Sequence, residues 1–345
     1  MEDKKKHLLI IDANSVIHRA YHALPLLTTK KGELVNAVYG FLLVFFKAIK
    51  DFQPDYIVAC FDFPGPTFRH KKYKEYKAKR PPTPKDLVSQ IPKVKEILNA
   101  FSVPVFEKEG FEADDVIGTL VSQAAKFSIF SSTKNLVRDS KKESLETIII
   151  TGDRDAFQLV DKNTEVYLLR KGVKDVVLYD ENLVKEKFQG LTPEQLLEFK
   201  ALKGDPSDNI PGVPGIGEKT AIQLIKQFGT LENLYKAVNQ RPPHQIIGGG
   251  PINARLPAPE SSDGGQVNQR LRAKLEEYKE QAFLCKGLVE IKKNIPLDFN
   301  LKECQWGKYR EEKVVEVLKG FGFESLIKKL SEIKQKIFRQ NLKLW

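Results

Sequence analysis

Three apolar segments that each end at an aspartate place the strongest constraint on the fold of this chain. They are "LLIID" (8–12), "YIVACFD" (56–62) and "TIIITGD" (147–153). Segments with helical spacing of apolar residues lie between them, at 35–52 and 114–127. Continuous apolar strands that alternate with helices are typical of a parallel sheet covered on both faces. The sequence therefore predicts an α/β fold with a mainly parallel central sheet flanked by helices.

The residues that end these segments are Asp12, Asp62 and Asp153. A single aspartate after a strand is most often a helix cap or a turn residue. In open parallel sheets, however, the working site lies beyond the carboxyl ends of the strands. Because three strands repeat the same residue, we expect these side chains to share a functional site.

The segment "GFEADDVIGTL" (110–120) adds Glu112, Asp114 and Asp115. If a helix begins near Ala113, Glu112 and Asp115 project to nearly the same side and Asp114 lies on an adjacent one. The helix dipole compensates about one of these charges, at ~0.3–1 kcal/mol, which is less than the mutual repulsion of so many carboxylates. We therefore expect a cation among them, either a metal ion or a Lys or Arg side chain.

Further acids occur in "TGDRDAFQL" and "KGDPSDNIPG". Oxygen-only ligands suit Mg²⁺ or Mn²⁺, and two such ions ~3.5–4 Å apart can clamp the attacking and leaving oxygens of a phosphodiester. We predict that two or more ions are held by a set of nine acids: Asp12, Asp62, Glu112, Asp114, Asp115, Asp153, Asp155, Asp205 and Asp208.

Zinc is a weaker alternative. His18 and His22 have helical i, i+4 spacing, but no further soft ligands are arranged nearby, so we expect core or surface histidines. The chain has three cysteines without metal-like spacing, which favours a reducing compartment.

The basic segment "FRHKKYKEYKAKRPPTP" (68–84) follows Asp62 directly. Cations that track phosphates and rings that stack on bases are the usual means of contacting single-stranded nucleic acid. A solvated basic helix before a Pro-rich turn is the alternative, but the position after Asp62 favours nucleic acid, with phosphates brought to the carboxylates. The residues that we expect to contact DNA here are Arg69, Lys71, Lys72, Tyr73 and Tyr76, with the two tyrosines guiding an unpaired strand.

A Gly-rich segment, "NIPGVPGIGEKTAIQLIKQFG" (209–229), superficially resembles a phosphate-binding P-loop. Glu218 interrupts that motif, and the preceding "PEQLLEFKALKG" indicates a helix where a P-loop needs a strand. Helix, Gly-rich hairpin, helix is the remaining interpretation, and its exposed backbone N–H groups suit a DNA phosphate. The residues that we expect to contact DNA here are Gly212, Gly215, Gly217, Lys219 and Thr220.

The net charge of +11 predicts a basic surface that attracts polyanions, nucleic acid first and anionic membrane second. The apolar run that ends at Asp12 is too short for a signal peptide, and the longest run, "FLLVFF" (41–46), cannot span a bilayer. We expect a cytoplasmic, nucleoid-associated protein with no membrane partner.

These segments, in this order, resemble the 5′-nuclease domain of bacterial DNA polymerase I, within the flap endonuclease superfamily. The similarity runs from about residue 7 to 235 and more loosely to about 330. It implies a PIN-like α/β domain over 1–189 with a basic arch at about 68–90, and a helix-hairpin-helix and helical region over 190–330, followed by a tail at 331–345. It also implies that the nine acids are metal ligands.

By the same resemblance, Arg19, Lys77 and Arg80 match basic residues that handle substrate phosphates, and residues 212–220 match a duplex grip that often binds K⁺. The resemblance implies a divalent-metal-dependent 5′-3′ exonuclease and flap endonuclease acting on DNA with a 5′ flap, nick or free 5′ end and on RNA-DNA primer junctions. We expect a monomer that works with a DNA polymerase, in trans or within a longer parent chain.

Two segments depart from the family pattern, a polar insertion at 128–146 and a Gly/Pro/Ser-rich segment at 241–269 that we expect to be a mobile loop. Two alternatives stay open. A PIN-type ribonuclease would share the strand-end acids without needing the duplex grip, and a structural DNA-binding module would carry the acids as a vestige. The sequence leaves the metal preference and the balance of exonuclease and endonuclease activity undecided.

Overall fold

The computed structural model describes residues 5–133, 144–240 and 264–342. The chain divides into two compact units. The sheet unit comprises Met1–Gly65, Pro82–Asp180 and Lys292–Trp345, and the hairpin unit comprises Pro66–Pro81 and Glu181–Ile291. The basic segment that follows Asp62 is thus shared between the two units.

The sheet unit is built on one six-stranded sheet with strand order β3-β2-β1-β4-β5-β6. Neighbouring strands are parallel except for the antiparallel pair β5 and β6, which confirms the predicted mainly parallel sheet. The strands are β1 (Lys5–Asp12), β2 (Tyr56–Cys60), β3 (Val105–Phe106), β4 (Ser144–Thr151), β5 (Thr164–Lys171) and β6 (Asp175–Tyr179).

The α-helices of the described residues are, in chain order, α1 (Ala13–Ala23), α2 (Asn36–Phe52), α3 (Phe68–Lys72), α4 (Lys85–Val88), α5 (Ile91–Ala100), α6 (Ala113–Thr133), α7 (Glu181–Lys187), α8 (Gln195–Lys203), α9 (Glu218–Phe228), α10 (Leu231–Gln240), α11 (Gly264–Glu277), α12 (Lys279–Val289), α13 (Glu311–Gly320) and α14 (Glu324–Leu342). Helix α3 and helices α7 to α12 belong to the hairpin unit. Within the described ranges, no helix has both the length and the apolar surface that a membrane crossing needs.

The core of the sheet unit explains the continuous apolar run in β1. Leu8, Leu9, Ile10 and Ile11 are all at most 1% exposed, because both faces of β1 are covered. Phe41, Phe45 and Phe46 of α2 pack in one core with Leu9 and Ile11. Each such side chain contributes ~1.5–3 kcal/mol of burial free energy, so the sheet is a rigid support for the residues at its carboxyl edge.

The hairpin unit has a separate core that includes Tyr76, Ile210, Cys285, Leu288 and Val289. Residues 66–81, far from the rest of this unit in sequence, therefore pack into it through Tyr76. Helices α8 and α12 are joined by an ion pair of 2.6 Å between the Lys286 ammonium and the buried Glu198 carboxylate.

The structure describes three of the predicted segments in part. Helix α6 continues to Thr133 and β4 begins at Ser144, so the two ends of the predicted insertion 128–146 are regular structure, while 134–143 lies outside the described residues. Of the segment 241–269, only 264–269 is described, and it begins α11. The predicted tail at 331–345 is helical as far as Leu342.

Candidate active site

Asp12 lies at the junction between β1 and α1, and both of its carboxylate oxygens are hydrogen-bonded. Oδ1 accepts from the Ser15 backbone N–H at 3.1 Å, which caps α1. Oδ2 accepts from the Thr151 hydroxyl at 2.6 Å. Asp12 is therefore both a helix cap and a buried carboxylate, and the cap interpretation alone does not account for its environment.

Asp62 lies two residues beyond β2 and is exposed. Its Oδ1 accepts from the backbone N–H of Ala113 at 2.8 Å, the first residue of α6, while its own N–H donates to Asn14 Oδ1 at 3.2 Å. Hydrogen bonds thus connect Asp62 both to the start of α6 and to Asn14 in the first turn of α1.

The acidic helix start has the geometry that the sequence predicts, with α6 beginning at Ala113. Asp115 Oδ2 accepts from the Glu112 backbone N–H at 3.1 Å, which is half of a capping box. Asp115 Oδ1 accepts from the Lys292 backbone N–H at 2.9 Å, and Asp115 is fully buried. Both oxygens of Asp115 therefore satisfy backbone donors, unlike those of a carboxylate held only for metal binding.

The turn after β4 carries Asp153 and Asp155. The Asp153 backbone N–H donates to Thr151 Oγ1 at 2.9 Å, and the Asp155 N–H donates to Asp153 Oδ1 at 2.8 Å. The N–H of Gly152 donates to Ser15 Oγ at 2.9 Å, which fixes the turn to the first turn of α1. Ser15 of α1 and Thr151 of β4 thereby fix the backbone conformation of the turn that carries Asp153 and Asp155.

Electrostatics show that the carboxylates are crowded. Burial raises the pKa of Asp12 to about 7, against the hydrogen bonds from Thr151 and Ser15, and the charges of Asp62 and Asp153 raise it further. Burial also raises the pKa of the half-buried Asp114 well above its ordinary value, together with a group of neighbouring acids: Asp153, Asp12, Asp155 and Glu112. The sheet unit thus brings together six of the nine predicted acids, each within electrostatic range of Asp12 or Asp114.

The donor set fits a hard divalent cation, because every charged group in it is a carboxylate whose crowding a cation relieves. In the part of the chain that the structure describes, no three His, Cys, Asp or Glu side chains are drawn together tightly enough to hold a metal ion. The acids therefore form a region of high negative charge rather than a preassembled ligand shell. The same finding offers no support for zinc at His18 and His22, whose helix α1 is described throughout.

Asp205 and Asp208 belong to the hairpin unit, and each has protein cations beside it. Asp205 Oδ2 lies 2.8 Å from Lys200 Nζ, and Oδ1 accepts from the Ser207 N–H and hydroxyl. Burial alone would raise the pKa of Asp205, but Lys200 and Ser207 together lower it below its ordinary value. Asp208 is paired with the Arg80 guanidinium, with Lys77 Nζ at 3.8 Å.

The basic segment differs from its prediction at Arg69 and Tyr76. Arg69 is 3% exposed, and its guanidinium donates to the backbone carbonyls of Leu288 and Glu290, both at 2.8 Å. Tyr76 is also 3% exposed, and its hydroxyl donates to Asp208 Oδ2 at 3.0 Å. Neither side chain is available to DNA, because an arginine and a tyrosine are used here to fix residues 66–81 to the hairpin unit.

The rest of the segment keeps accessible charge. Lys71 and Lys72 are exposed, Tyr73 is half-buried against the hairpin-unit core, and the Arg80 side chain is 49% exposed. Lys77 has a left-handed backbone with φ +55°, held by a bond from its N–H to the Asp208 carbonyl at 2.9 Å. The two residues predicted to stabilise charge, Lys77 and Arg80, are therefore positioned by the same aspartate.

Arg19 lies in the sheet unit on α1. Its guanidinium donates to the carbonyl of Gly152 at 3.2 Å and to the carbonyl of Arg170 at 3.1 Å. In this structure it braces the turn that carries Asp153.

The Gly-rich hairpin has the predicted helix, hairpin, helix arrangement, with α8 before it and α9 after it. Gly204 and Gly212 have φ of +81° and +65°, and a Cβ on Gly212 would lie 2.3 Å from the Gly204 nitrogen, so two backbone segments meet where only glycine fits. Gly215 also has a positive φ, +79°. Gly217 is the N-cap of α9, whose first turn carries exposed Lys219 and half-buried Thr220. The N–H groups and the positive dipole end of α9 thus lie beside the exposed side chain of Lys219.

Sequence reasoning missed Asn14, Ser15 and Thr151. The side-chain oxygen of Asn14 accepts from the Asp62 N–H, the Thr151 hydroxyl donates to Asp12, and the Ser15 hydroxyl accepts from the N–H of Gly152, next to Asp153. The available signal was the threonine that closes the otherwise apolar run "IIIT" (148–151) just before Gly152 and Asp153. A polar group at a fully buried strand end needs a hydrogen-bond partner, and the following acids are its nearest candidates.

The chain is similar in sequence to known exonucleases and DNA polymerases. A family model described as "5′-3′ exonuclease, N-terminal resolvase-like domain" matches residues 7–189, and another described as "5′-3′ exonuclease, C-terminal SAM fold" matches residues 191–312. The chain is 38% identical over 329 residues to DNA polymerase I of Bacillus subtilis (95% of this chain, 33% of that protein). It is 40% identical over 339 residues to DNA polymerase I of Caldicellulosiruptor bescii (96% and 35%). The chain spans about a third of the length of these relatives.

Solved structures show the same fold. The bacteriophage T5 flap endonuclease, in a pseudo-enzyme-product complex with DNA and metal ions, matches with a TM-score of 0.59 at 18% identity, covering 96% of this chain and 98% of that one. The catalytic core of Rad2 in complex with DNA substrate matches with a TM-score of 0.54 at 17% identity, covering 96% and 93%. These matches confirm the predicted fold class, a PIN-like α/β domain with a helical region that follows it.

Proposed function

The chain belongs to the 5′-3′ exonuclease family, a family of nuclease enzymes, and from that premise we propose that it is a divalent-metal-dependent 5′-3′ exonuclease and 5′-flap endonuclease of DNA. Its substrates are duplexes with a 5′ flap, a nick or a free 5′ end, including RNA-primed ends. Its reaction is hydrolysis of a phosphodiester, in primer removal and repair.

The observation that carries this proposal is the convergence of six carboxylates at the carboxyl edge of the sheet, where hydrogen bonds join Asp12 to the Asp153 turn and Asp62 to the start of α6. Burial and then the charges of neighbouring acids raise the pKa values of Asp12 and Asp114 there. A fold gains nothing from placing six acids in one electrostatic environment unless a cation occupies it, since repulsion and burial both oppose ionisation. The solved T5 relative binds DNA and metal ions, which is the combination that such an environment suits.

We assign the divalent ions, Mg²⁺ or Mn²⁺, to carboxylates of the sheet unit: Asp12, Asp62, Glu112, Asp114, Asp153 and Asp155. When bound, two such ions supply charge stabilisation for the attacking and leaving oxygens of the phosphodiester. Asp115 supports this site by fixing the start of α6, on which Asp114 stands. Asp205 and Asp208 remain proposed ligands by family resemblance, and each would have to exchange its cationic protein partner for a metal ion.

The basic residues receive the phosphates. Lys77 and Arg80 carry charge that can neutralise a phosphodiester, while Asp208 holds both of them in place. Lys71 and Lys72 add exposed charge on the same segment for an unpaired 5′ strand. Arg19 keeps the backbone of the Asp153 turn in position and is proposed to reach substrate phosphate only after substrate enters.

The Gly-rich hairpin holds the duplex in this proposal. Its glycines bring backbone N–H groups to the surface at the start of α9, where the helix dipole favours a phosphate and Lys219 adds charge. A potassium ion at this hairpin is part of the same proposal, drawn from the family resemblance.

The relatives also suggest the process in which this reaction takes part. They are DNA polymerases, so we propose that a polymerase activity extends the strand whose 5′ neighbour this chain removes, in trans or within one polypeptide. We propose that the enzyme is a monomer that works on the nucleoid in the cytoplasm.

A labelled 5′-flap duplex tests the proposal directly. With Mg²⁺ we expect cleavage at or near the flap junction together with short 5′ products, and with EDTA we expect none. The double variant Asp114→Asn with Asp153→Asn should abolish cleavage, whereas Asp298→Asn, an exposed acid elsewhere in the sheet unit, should leave it unchanged. Product length reports the cut position.

The same assay separates the two alternatives. A PIN-type ribonuclease would cut an unstructured RNA of the same length faster than the flap DNA. A non-catalytic DNA-binding module would bind the flap duplex and release no product in any metal. Either outcome would replace the proposed function.

A further inference from the structure

We propose that Thr151 is a positioning residue of the nuclease site, whose hydroxyl fixes the orientation of the Asp12 carboxylate and of the turn that carries Asp153 and Asp155. This inference rests on the proposed function. Thr151 is the last residue of β4 and is fully buried, and it is not one of the acids or cations that the family resemblance identifies.

The hydroxyl makes two bonds of opposite direction. It donates to Asp12 Oδ2 at 2.6 Å and accepts the backbone N–H of Asp153 at 2.9 Å. A hydroxyl has one hydrogen and two lone pairs, so it can serve both partners at once, which neither an aliphatic side chain nor a backbone group can do.

Asp12 needs this restraint because the terminal torsion of an aspartate is soft and has broad minima. One hydrogen bond, from the Ser15 N–H to Oδ1, leaves the carboxylate plane free to turn about that contact. The Thr151 hydroxyl fixes the second oxygen. The two bonds together define the direction in which the remaining lone pairs of Asp12 point.

The restraint continues along the chain to the next acids. The Asp153 N–H is held by Thr151, and Asp153 Oδ1 in turn accepts the Asp155 N–H at 2.8 Å. A single hydroxyl therefore links three carboxylate-bearing residues, Asp12, Asp153 and Asp155, through consecutive hydrogen bonds. Ser15 supports the same turn from α1 by accepting the Gly152 N–H.

Strand β4 offers a matched control. Thr147 lies four residues before Thr151, is also buried, and projects from the same face of the strand. The pair Thr151→Val and Thr147→Val removes the same atom from the same type of side chain, while Thr151→Ser retains the hydroxyl at the test position.

Binding of Mn²⁺ to the DNA-free full chain, followed by the electron paramagnetic resonance of free Mn²⁺, is the first readout. Groups that orient metal ligands typically contribute 10–100-fold to metal affinity, so we expect Thr151→Val to weaken Mn²⁺ binding by about that factor. We expect Thr151→Ser to stay within about 3-fold of the wild type and Thr147→Val to be unchanged.

Cleavage of the flap duplex at saturating Mn²⁺ is the second readout. A positioning role lowers kcat by about 10–100-fold in Thr151→Val and leaves KM for DNA nearly unchanged, because the DNA-contacting residues are intact. Equal Mn²⁺ affinity and kcat in Thr151→Val and wild type would overturn the proposal, and so would a Thr151→Ser variant as defective as Thr151→Val, since packing would then be the cause.

Circular dichroism establishes that each variant is folded at the assay temperature. If Thr151→Val does not fold, Thr151→Ala is assayed at about 10 °C, and failure of both to fold would assign the hydroxyl a purely structural role and overturn the proposal. Absence of both Mn²⁺ binding and cleavage in the wild type would instead refute the proposed function, so the two failures are distinguishable.

Discussion

The hydroxyl of Tyr76 donates a 3.0 Å hydrogen bond to the carboxylate of Asp208, which also pairs with Arg80. Tyrosine in a basic segment predicts a ring for base stacking, but this ring is buried among Ile210, Cys285 and Leu288. The aromatic residue therefore anchors the segment, and the anchor is an acid that the family resemblance assigns to metal binding.

Removing the Tyr76 hydroxyl should lower stability while leaving the ring in place. We expect Tyr76→Phe to reduce the free energy of unfolding by about 1–3 kcal/mol, because a buried carboxylate oxygen loses a donor. Tyr73→Phe, at a half-buried tyrosine in the same segment, is the control and should change stability by less than about 0.5 kcal/mol. Urea denaturation measures both. Unchanged stability in Tyr76→Phe would contradict the anchoring role of this hydroxyl.

Substitution of Asp114 or of Asp115 by asparagine should change the stability of the protein in opposite directions. Asp115→Asn replaces an oxygen that accepts a backbone N–H by an amide that donates, so we expect a loss of about 1–3 kcal/mol in metal-free protein. Asp114→Asn removes a carboxyl group whose ionisation is opposed by burial and by neighbouring charges, so we expect a gain of about 0.5–2 kcal/mol.

Thermal and urea unfolding in EDTA measure this difference, and flap cleavage in Mg²⁺ provides a check, since both variants should lose activity. Destabilisation by Asp114→Asn as large as that by Asp115→Asn would contradict the distinction between a repelled carboxylate and a capping one.

The pKa of Asp12 predicts how stability depends on pH without metal. Because burial raises this pKa to about 7 from 3.8, the folded state binds a proton that the unfolded state releases between these values. The stabilisation from this group is therefore complete below about pH 4 and is lost as pH rises toward 7, at up to 1.4 kcal/mol per pH unit, or about 2–4 kcal/mol in all.

Melting temperatures between pH 4 and pH 8 in EDTA, for the wild type and Asp12→Asn, isolate this contribution as the difference between two curves. The curves should approach each other at low pH and separate as pH rises toward 7, with Asp12→Asn relatively more stable at the higher pH. In Mg²⁺ the wild-type loss should be reduced, because the ionised carboxylates gain a cation. Parallel curves in EDTA would show that Asp12 does not titrate in this range.

Much of the fold can be predicted from the local pattern of apolar and polar residues in the sequence. Apolar continuity predicts β1, β2 and β4, the 3.6-residue spacing predicts α2 and α6, and the start of α6 at Ala113 follows from its acids. The convergence of Asp12, Asp62 and Asp153 also follows from the sequence, because parallel strands end at one edge of a sheet.

Partners distant in sequence could not be predicted in this way. Several hydrogen bonds join residues that are more than 100 positions apart in the sequence. Asp115 accepts from the Lys292 N–H, Tyr76 donates to Asp208, and Arg69 donates to the carbonyls of Leu288 and Glu290. Residue type describes what a side chain can bind, whereas only tertiary packing determines whether a cation at a given position meets DNA, a carboxylate or a backbone carbonyl.

The first turn of α9 provides a test of the duplex grip. Lys219 is exposed beside the N-terminus of the helix, where a phosphate would be bound by backbone N–H groups and by this ammonium. We expect Lys219→Ala to weaken duplex binding similarly for all sequences and to reduce the slope of log affinity against log salt by about 1, because one counterion fewer is released.

Lys226 is a matched control, because it is also exposed but lies in the last turn of α9. Lys226→Ala should leave the slope unchanged, since the helix dipole there repels phosphate. Fluorescence anisotropy of a labelled duplex from about 50 to 200 mM salt measures both slopes. Equal loss of slope in the two variants would indicate a diffuse basic surface instead of a phosphate site at the start of this helix.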